Sequence, residues 1–254
     1  MIVLFDAVGT VIKPEPDVTE IYHRLGLKYG SSLSPEQIKH RIKLGRRRFF
    51  NVGQSAESLF AGVHSFSSDH DDLDSSEAIE RLLWQDLVFE VFVDLDHPQA
   101  LFDELWEHFR APTNWELYSD VEPCLEGLSS AGIEFGLVSN FDSRLVDIAD
   151  SVFPLSNCSY VFCSSQVGFR KPSPMFYRQV EEAIQCATGN SDTDIVMVGD
   201  DFENDCVAPR LAGWKALWLN RQDLTAGSEH SFGSPEKREV SSLYEFSHWL
   251  LSQV

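Results

Sequence analysis

Four short stretches of the chain carry side chains that could act together as nucleophile, cation and metal ligands. Asp6 ends the apolar run IVLF and is followed by Gly9 and Thr10, so a single carboxylate is delivered to a tight turn. Ser139 and Asn140 close a second apolar run, Arg170 and Lys171 precede Pro172, and a fourth run ends in Gly199-Asp200-Asp201 with Asp205 four residues further on. Carboxylates gathered within about 4 Å repel by about 4 kcal/mol per pair at an effective dielectric of 20, so such a cluster requires a cation. Oxygen-only ligands favour Mg²⁺, whose octahedral shell is completed by water and a substrate phosphate. Lys171 adds a fixed positive charge, and the hydroxyls of Thr10 and Ser139 can donate hydrogen bonds to a tetrahedral anion.

These residues meet only if the chain folds as a parallel sheet. Five apolar segments, IVLF (2–5), IEFGLVS (133–139), YVFC (160–163), DIVMVG (194–199) and KALWL (215–219), mostly lack alternation, as strands covered on both faces should. Helical stretches separate them. VEPCLEGLSSAG ends at Gly132, and SPMFYRQVEEAIQCATG runs from a Ser173-Pro174 start to Gly189. Alternating strands and helices imply right-handed crossovers and a shared carboxyl edge, where ligands bind. One strand-end Asp by itself more often caps the following helix; four strand ends bringing reactive groups to one edge form a site.

More than a hundred residues separate the first strand from the second, and that interval reads as helical. SPEQIKHRIKLGRRRFF opens with Ser34, Pro35 and Gln37 in capping-box spacing, and SSEAIERLLWQDLVFEVF and HPQALFDELWEHFR add two amphipathic stretches. The expected organisation is a helical cap, residues 13–118, inserted into a sheet domain made of residues 1–12 and 119–254. Within the insertion, SFSSDHDDLDSS (65–76) reads as a solvated polar loop, although its His70 and carboxylates are of metal-ligating type.

Asp6-x-x-Gly-Thr10, Ser139-Asn140, Lys171-Pro172 and Gly199-Asp200-Asp201-x-x-x-Asp205 together resemble, in order and spacing, the four motifs of the haloacid dehalogenase (HAD) superfamily. A helical cap after the first strand belongs to the same pattern. The resemblance implies an α/β protein with a three-layer, Rossmann-like parallel sheet core. It makes Asp6 a nucleophile that forms a covalent aspartyl intermediate. Thr10 and Ser139 would hold the transferring group, Asn140 belongs to the same catalytic set, and Lys171 would neutralise charge on Asp6 and substrate. Mg²⁺ would be held by Asp6, the Val8 carbonyl and Asp200, with Asp201 and Asp205 also in the metal set, Asp205 binding or orienting the metal's water shell or Lys171.

Val8 departs from the phosphatase pattern. The residue two after the nucleophile is there usually a second Asp, which protonates the leaving oxygen and then activates water; a valine side chain does neither. Acid–base catalysis contributes about 10² to 10⁴ in rate, so Val8 favours leaving groups that need little protonation. Dehalogenases of the superfamily carry an aromatic residue at this position and phosphonate-cleaving members a small apolar one. Yet GDDFEND is acidic where dehalogenases are neutral, and the cap lysine that phosphonate hydrolases use is matched by Lys39 or Lys43 only in type. The reading is Mg²⁺-dependent phosphoryl hydrolysis of a small phosphorylated metabolite. Its alternatives are a 2-haloacid dehalogenase and a catalytically silent member that binds a ligand or partner.

Bulk composition narrows the partners. Among 254 residues, 40 Asp and Glu against 20 Lys and Arg give a net charge of −20, which repels polyanions and argues against nucleic acid. A small anionic substrate at a local positive site is compatible. Six of the basic residues fall in KHRIKLGRRRFF, either an anion-attracting face or a helix paired with neighbouring acids. Trp84, Trp106 and Trp115 suit the core of the insertion better than a substrate wall. Five cysteines without C-x-x-C spacing suggest reduced thiols, and the first apolar run has no basic leader, so a cytoplasmic protein free of membrane spans is expected. Oligomeric state is left open.

Overall fold

The computed structural model describes residues 1–50, 56–57, 73–221 and 239–253. Six strands form one parallel sheet: β1 (Ile2–Phe5), β4 (Glu134–Ser139), β5 (Tyr160–Cys163), β6 (Ile195–Gly199), β7 (Lys215–Leu219) and β8 (Glu239–Val240). Their order across the sheet is β5-β4-β1-β6-β7-β8, with β1 in the middle. Phe5 lies level with Leu137 of β4 and Val198 of β6, so Asp6, Ser139 and Gly199 emerge at neighbouring points of one edge. A separate antiparallel pair, β2 (Ile12–Pro14) with β3 (Trp115–Leu117), joins the two ends of the long insertion.

Strand β1 is buried along its whole length. Its side chains alternate between two apolar layers, as the pleat requires. Val3 and Phe5 pack with the helices α5 (Val121–Ser130), α6 (Arg144–Ser151) and α8 (Leu243–Leu251), while Ile2 and Leu4 pack with α7 (Pro174–Thr188). These are the three layers of a Rossmann-like α/β fold. A side chain such as Phe5, fully buried and edge-on to Phe246 at 5.7 Å, contributes roughly 1.5–3 kcal/mol by leaving water.

Between β2 and β3 lie the α-helices α1 (Val18–Lys28), α2 (Pro35–Phe49), α3 (Glu77–Val91) and α4 (Gln99–His108). Helix α2 begins with the capping box its sequence spells, Ser34 accepting from the Gln37 N–H and the Gln37 side chain accepting from the Ser34 N–H. Ser76 caps α3 by a single bond, its hydroxyl accepting from the Ile79 N–H at 3.2 Å. The apolar faces of all four join the layer beneath Val3 and Phe5 through Tyr22, Phe109, Trp115 and Phe141, so insertion and sheet share one continuous core. Trp106 and Trp115 are buried and Trp84 packs on Phe109 at 5.7 Å.

Lys39 and Lys43 are solvent-exposed on α2, and Arg48 of the basic tract pairs with Glu90 at 3.2 Å. His70 and most of the 65–76 segment lie outside the described residues. None of the five cysteines is in a disulfide, and burial pushes the thiols of Cys124, Cys158 and Cys163 up to about 12, which leaves them unreactive. No helix among the described residues is long and apolar enough to cross a membrane.

Candidate active site

At the carboxyl edge the chain brings three carboxylates together: Asp6, Asp200 and Asp205 each offer an oxygen within 4.8 Å of the others. Asp6 is anchored by its own N–H, which donates to the Val198 carbonyl at 2.9 Å. Its Oδ1 accepts from the Ser139 hydroxyl at 2.9 Å and from Lys171 Nζ at 2.8 Å. Lys171 is almost fully buried and also donates to Asp205 Oδ1 at 2.6 Å and to the Val138 carbonyl at 3.2 Å. Burial alone would weaken its charge, but Asp205 and Asp6 outweigh that and hold the ammonium above its ordinary range.

The remaining charges are arranged around this pair. Asp200 keeps solvent access at the mouth of the site, yet the surrounding protein, with the Asp6 charge adding to it, raises its carboxyl to about 6. The Thr10 hydroxyl acts in the opposite direction, donating to Asp200 Oδ1 at 3.2 Å while accepting from the Asp200 N–H at 3.1 Å. Asp205 is fully buried and its carboxyl is pushed up by desolvation, against the pull of Lys171.

Two glycines permit this crowding. Gly9 has φ +96°, and a β-carbon there would overlap the Asp200 carboxylate; at Gly199 it would overlap that of Asp205. Gly9→Ala is therefore expected to cost roughly 1–3 kcal/mol, read as a lowered denaturant midpoint.

The donor set suits a hard divalent cation. Asp6 Oδ1 is occupied by Ser139 and Lys171 and Asp200 Oδ1 by Thr10, so each carboxylate presents its Oδ2. Asp205 differs: Lys171 takes one oxygen and the Asp201 N–H, at 3.0 Å, the other. It therefore holds the lysine and the turn.

The other expected site residues make contacts outside the carboxylate cluster or in support of it. Asp201, expected among the metal ligands, caps the π-helical turn Phe202–Val207, accepting from the N–H groups of Glu203 at 3.1 Å and Asn204 at 3.0 Å. That use takes it out of the carboxylate cluster. Asn140, expected among the groups acting on substrate, has both ends of its amide on the backbone of Lys171, accepting from its N–H at 2.7 Å and donating to its carbonyl at 2.9 Å. It positions Lys171. Thr10 has no exposed surface and secures Asp200. Val8 is half-buried against the apolar core.

One supporting group escapes sequence reasoning altogether. Arg221 donates to the Thr10 carbonyl at 2.7 Å and to both oxygens of Asp120, at 2.9 and 3.1 Å, and lies 4.1 Å over the ring of Tyr118. Asp120 stands at the N-cap position of α5, but its side chain takes Arg221 and the Leu243 N–H at 2.8 Å in place of the helix N–H groups.

Known proteins resemble this chain in sequence and in fold. A sequence profile of haloacid dehalogenase-like hydrolases matches residues 1–213. Haloacid dehalogenase-like hydrolase domain-containing protein 3 from Danio rerio is 29% identical over 248 residues, covering 96% of this chain and 93% of the relative. A HAD phosphatase from Thermococcus onnurineus superposes with a TM-score of 0.56 at 24% identity, covering 98% of this chain and 96% of that one. L-2-haloacid dehalogenase from Xanthobacter autotrophicus, with chloropropionic acid covalently bound, gives a TM-score of 0.67 at 15% identity, covering 100% and 99%. The profile spans most of the chain, and the chain belongs to the haloacid dehalogenase-like hydrolase family.

Proposed function

We propose that this hydrolase acts on a small phosphorylated metabolite with Mg²⁺, through a covalent intermediate on Asp6. The observation that carries the reading is the Asp6 carboxylate held by Ser139 and Lys171 with Asp200 in the same cluster. Asp6, the Val8 carbonyl and Asp200 would hold the ion. Bound there, Mg²⁺ supplies positive charge to the transferring phosphoryl oxygens.

One oxygen of Asp6 attacks phosphorus as the bond to the leaving oxygen breaks, and Lys171 offsets the negative charge shared by Asp6 and substrate. Water then attacks the aspartyl phosphate, releasing inorganic phosphate and restoring Asp6. Val8 can neither protonate the leaving oxygen nor activate that water. Leaving groups of low basicity, such as an acyl phosphate's carboxylate, fit the site best. Residues 13–118 act as a cap above a core of residues 1–12 and 119–254, and set which metabolite is admitted.

The second reading, hydrolysis of a 2-haloacid, is favoured by the apolar Val8. Against it stands Asp200, whose charge would repel a substrate carboxylate. Phosphate release from a metabolite panel with Mg²⁺, stopped by chelator, is the expected result. Halide release from a 2-chloroacid in the presence of chelator would transfer the assignment to the dehalogenase branch. Val8→Asp should speed hydrolysis of alkyl phosphates by about 10²-fold or more; an unchanged rate would show that Val8 does not limit the reaction.

A further inference from the structure

The loop that carries Lys171 is held in large part by the inserted segment. The Arg170 N–H donates to the Leu73 carbonyl at 2.8 Å, and the Ser75 N–H donates to the Gly168 carbonyl at 2.8 Å. Glu80, in the first turn of α3, completes the attachment. It is 1% exposed and its carboxylate accepts three hydrogen bonds: from Arg170 Nη1 at 2.7 Å, Ser75 Oγ at 2.7 Å and Ser164 Oγ at 2.6 Å.

These bonds lead to two catalytic loops. Arg170 is the residue before Lys171 and is itself buried. Ser164, while donating to Glu80, accepts from the Phe141 N–H at 3.1 Å, and Phe141 follows the Asn140 whose amide grips the Lys171 backbone. One carboxylate from the insertion therefore ties the Lys171 loop to the Ser139-Asn140 loop from behind. The demand on that tie is severe, because Lys171 Nζ must meet Asp6, Asp205 and the Val138 carbonyl together, and displacements of about 1 Å at a reacting centre can cost 10²-fold in rate.

We propose that Glu80 is a positioning residue for the reaction, acting through Arg170 and Ser164 to fix Lys171 and Ser139-Asn140. The proposal rests on the reading of Asp6 and Lys171 given above. On it, the insertion builds part of the catalytic centre as well as covering it.

The test uses the full chain with p-nitrophenyl phosphate and Mg²⁺. Glu80→Gln keeps size and the serine contacts but removes the charge facing Arg170. It is expected to lower kcat ten- to a hundredfold with KM within threefold, and Glu80→Asp should recover part of the loss. Arg170→Gln should match it, and the double variant should be no worse than the poorer single one, since both break the same link. Glu80→Gln with kcat within twofold of the parent, or losses that multiply in the double variant, would overturn the proposal.

A second readout does not need turnover. In protein labelled with ¹⁵N-lysine, the Lys171 ammonium signal, assigned through Lys171→Arg, should shift in Glu80→Gln; an unmoved signal counts against the proposal. Should Glu80→Gln fail to fold, Ser164→Ala probes the same tie and is expected to lower kcat three- to tenfold, an unchanged kcat again overturning it. Asp6→Asn separates the two levels. If it retains full activity, the Asp6 reading fails; if it is inactive while Glu80→Gln is not, only the positioning role falls.

Discussion

Asp6→Asn is expected to lower turnover by roughly 10⁴- to 10⁶-fold, the scale on which covalent nucleophiles are missed, while leaving the metal-free protein no less stable than its parent. The two halves of that expectation come from the same geometry. Asp6 gives up a hydrogen bond from a charged lysine at 2.8 Å, but it also stands in a cluster with two other carboxylates. Three such groups share one lysine, so removing one charge relieves repulsion about as large as the attraction it forfeits. Lys171 retains Asp205 at 2.6 Å. The Asp200 carboxyl, raised to about 6 in part by the charge on Asp6, should move down in the variant. Phosphate release, thermal melting without metal and an NMR titration of Asp200 check the three parts. Parental turnover in Asp6→Asn would remove this residue from the chemistry.

The sheet was legible in the sequence because its central strands are buried on both faces and therefore read as unbroken apolar runs; IVLF is buried throughout and a strand end to end, and the edge strand YVFC, half-buried over most of its length, is apolar enough to read the same way. Helix limits were legible where backbone chemistry is local, as at Ser34 with Gln37, and at Gly132 and Gly189, both left-handed at φ +70° and +67°. Short elements were not. Strand β8 is two residues long and β2 and β3 three each, too few for a period to register, and β2 and β3 are made by pairing across 101 to 105 residues, from Pro14 with Trp115 to Ile12 with Leu117.

Within the site, spacing located the carboxylates but could not give their directions. Asp200 and Asp201 are adjacent, yet one stays beside Asp6 while the other turns to cap Phe202–Val207. Asn140 likewise follows Ser139 directly, but Ser139 donates to Asp6 and Asn140 clasps the Lys171 backbone. The supports were hidden for a further reason. Glu80 and Arg221 act over separations of 90 residues to Arg170 and 211 to Thr10, and nothing in the local sequence of either marks its partner.

Lys171→Met is expected to destabilise the fold by about 3–5 kcal/mol at neutral pH and to remove activity. Breaking a buried ion pair from one side leaves the other charge in the interior without compensation, and here two carboxylates are stranded, Asp205 fully buried and Asp6 nearly so. The pH dependence separates this cause from loss of packing. In the parent, Lys171 is held above its ordinary pKa despite burial, because Asp205 and Asp6 attract its charge. Its contribution is complete at every pH below the unfolded lysine value, and is lost only as alkaline pH passes through the folded one. In the variant, burial continues to push the Asp205 carboxyl up while the cation that opposed this is gone. As pH falls, Asp205 takes a proton, the stranded charge disappears and the deficit relative to the parent should shrink. Denaturant titrations of both proteins at pH 7.5 and pH 5 measure that difference. A deficit equal at both values would mean that the methionine side chain simply packs badly, and that Lys171 does not hold these carboxylates in place through its charge.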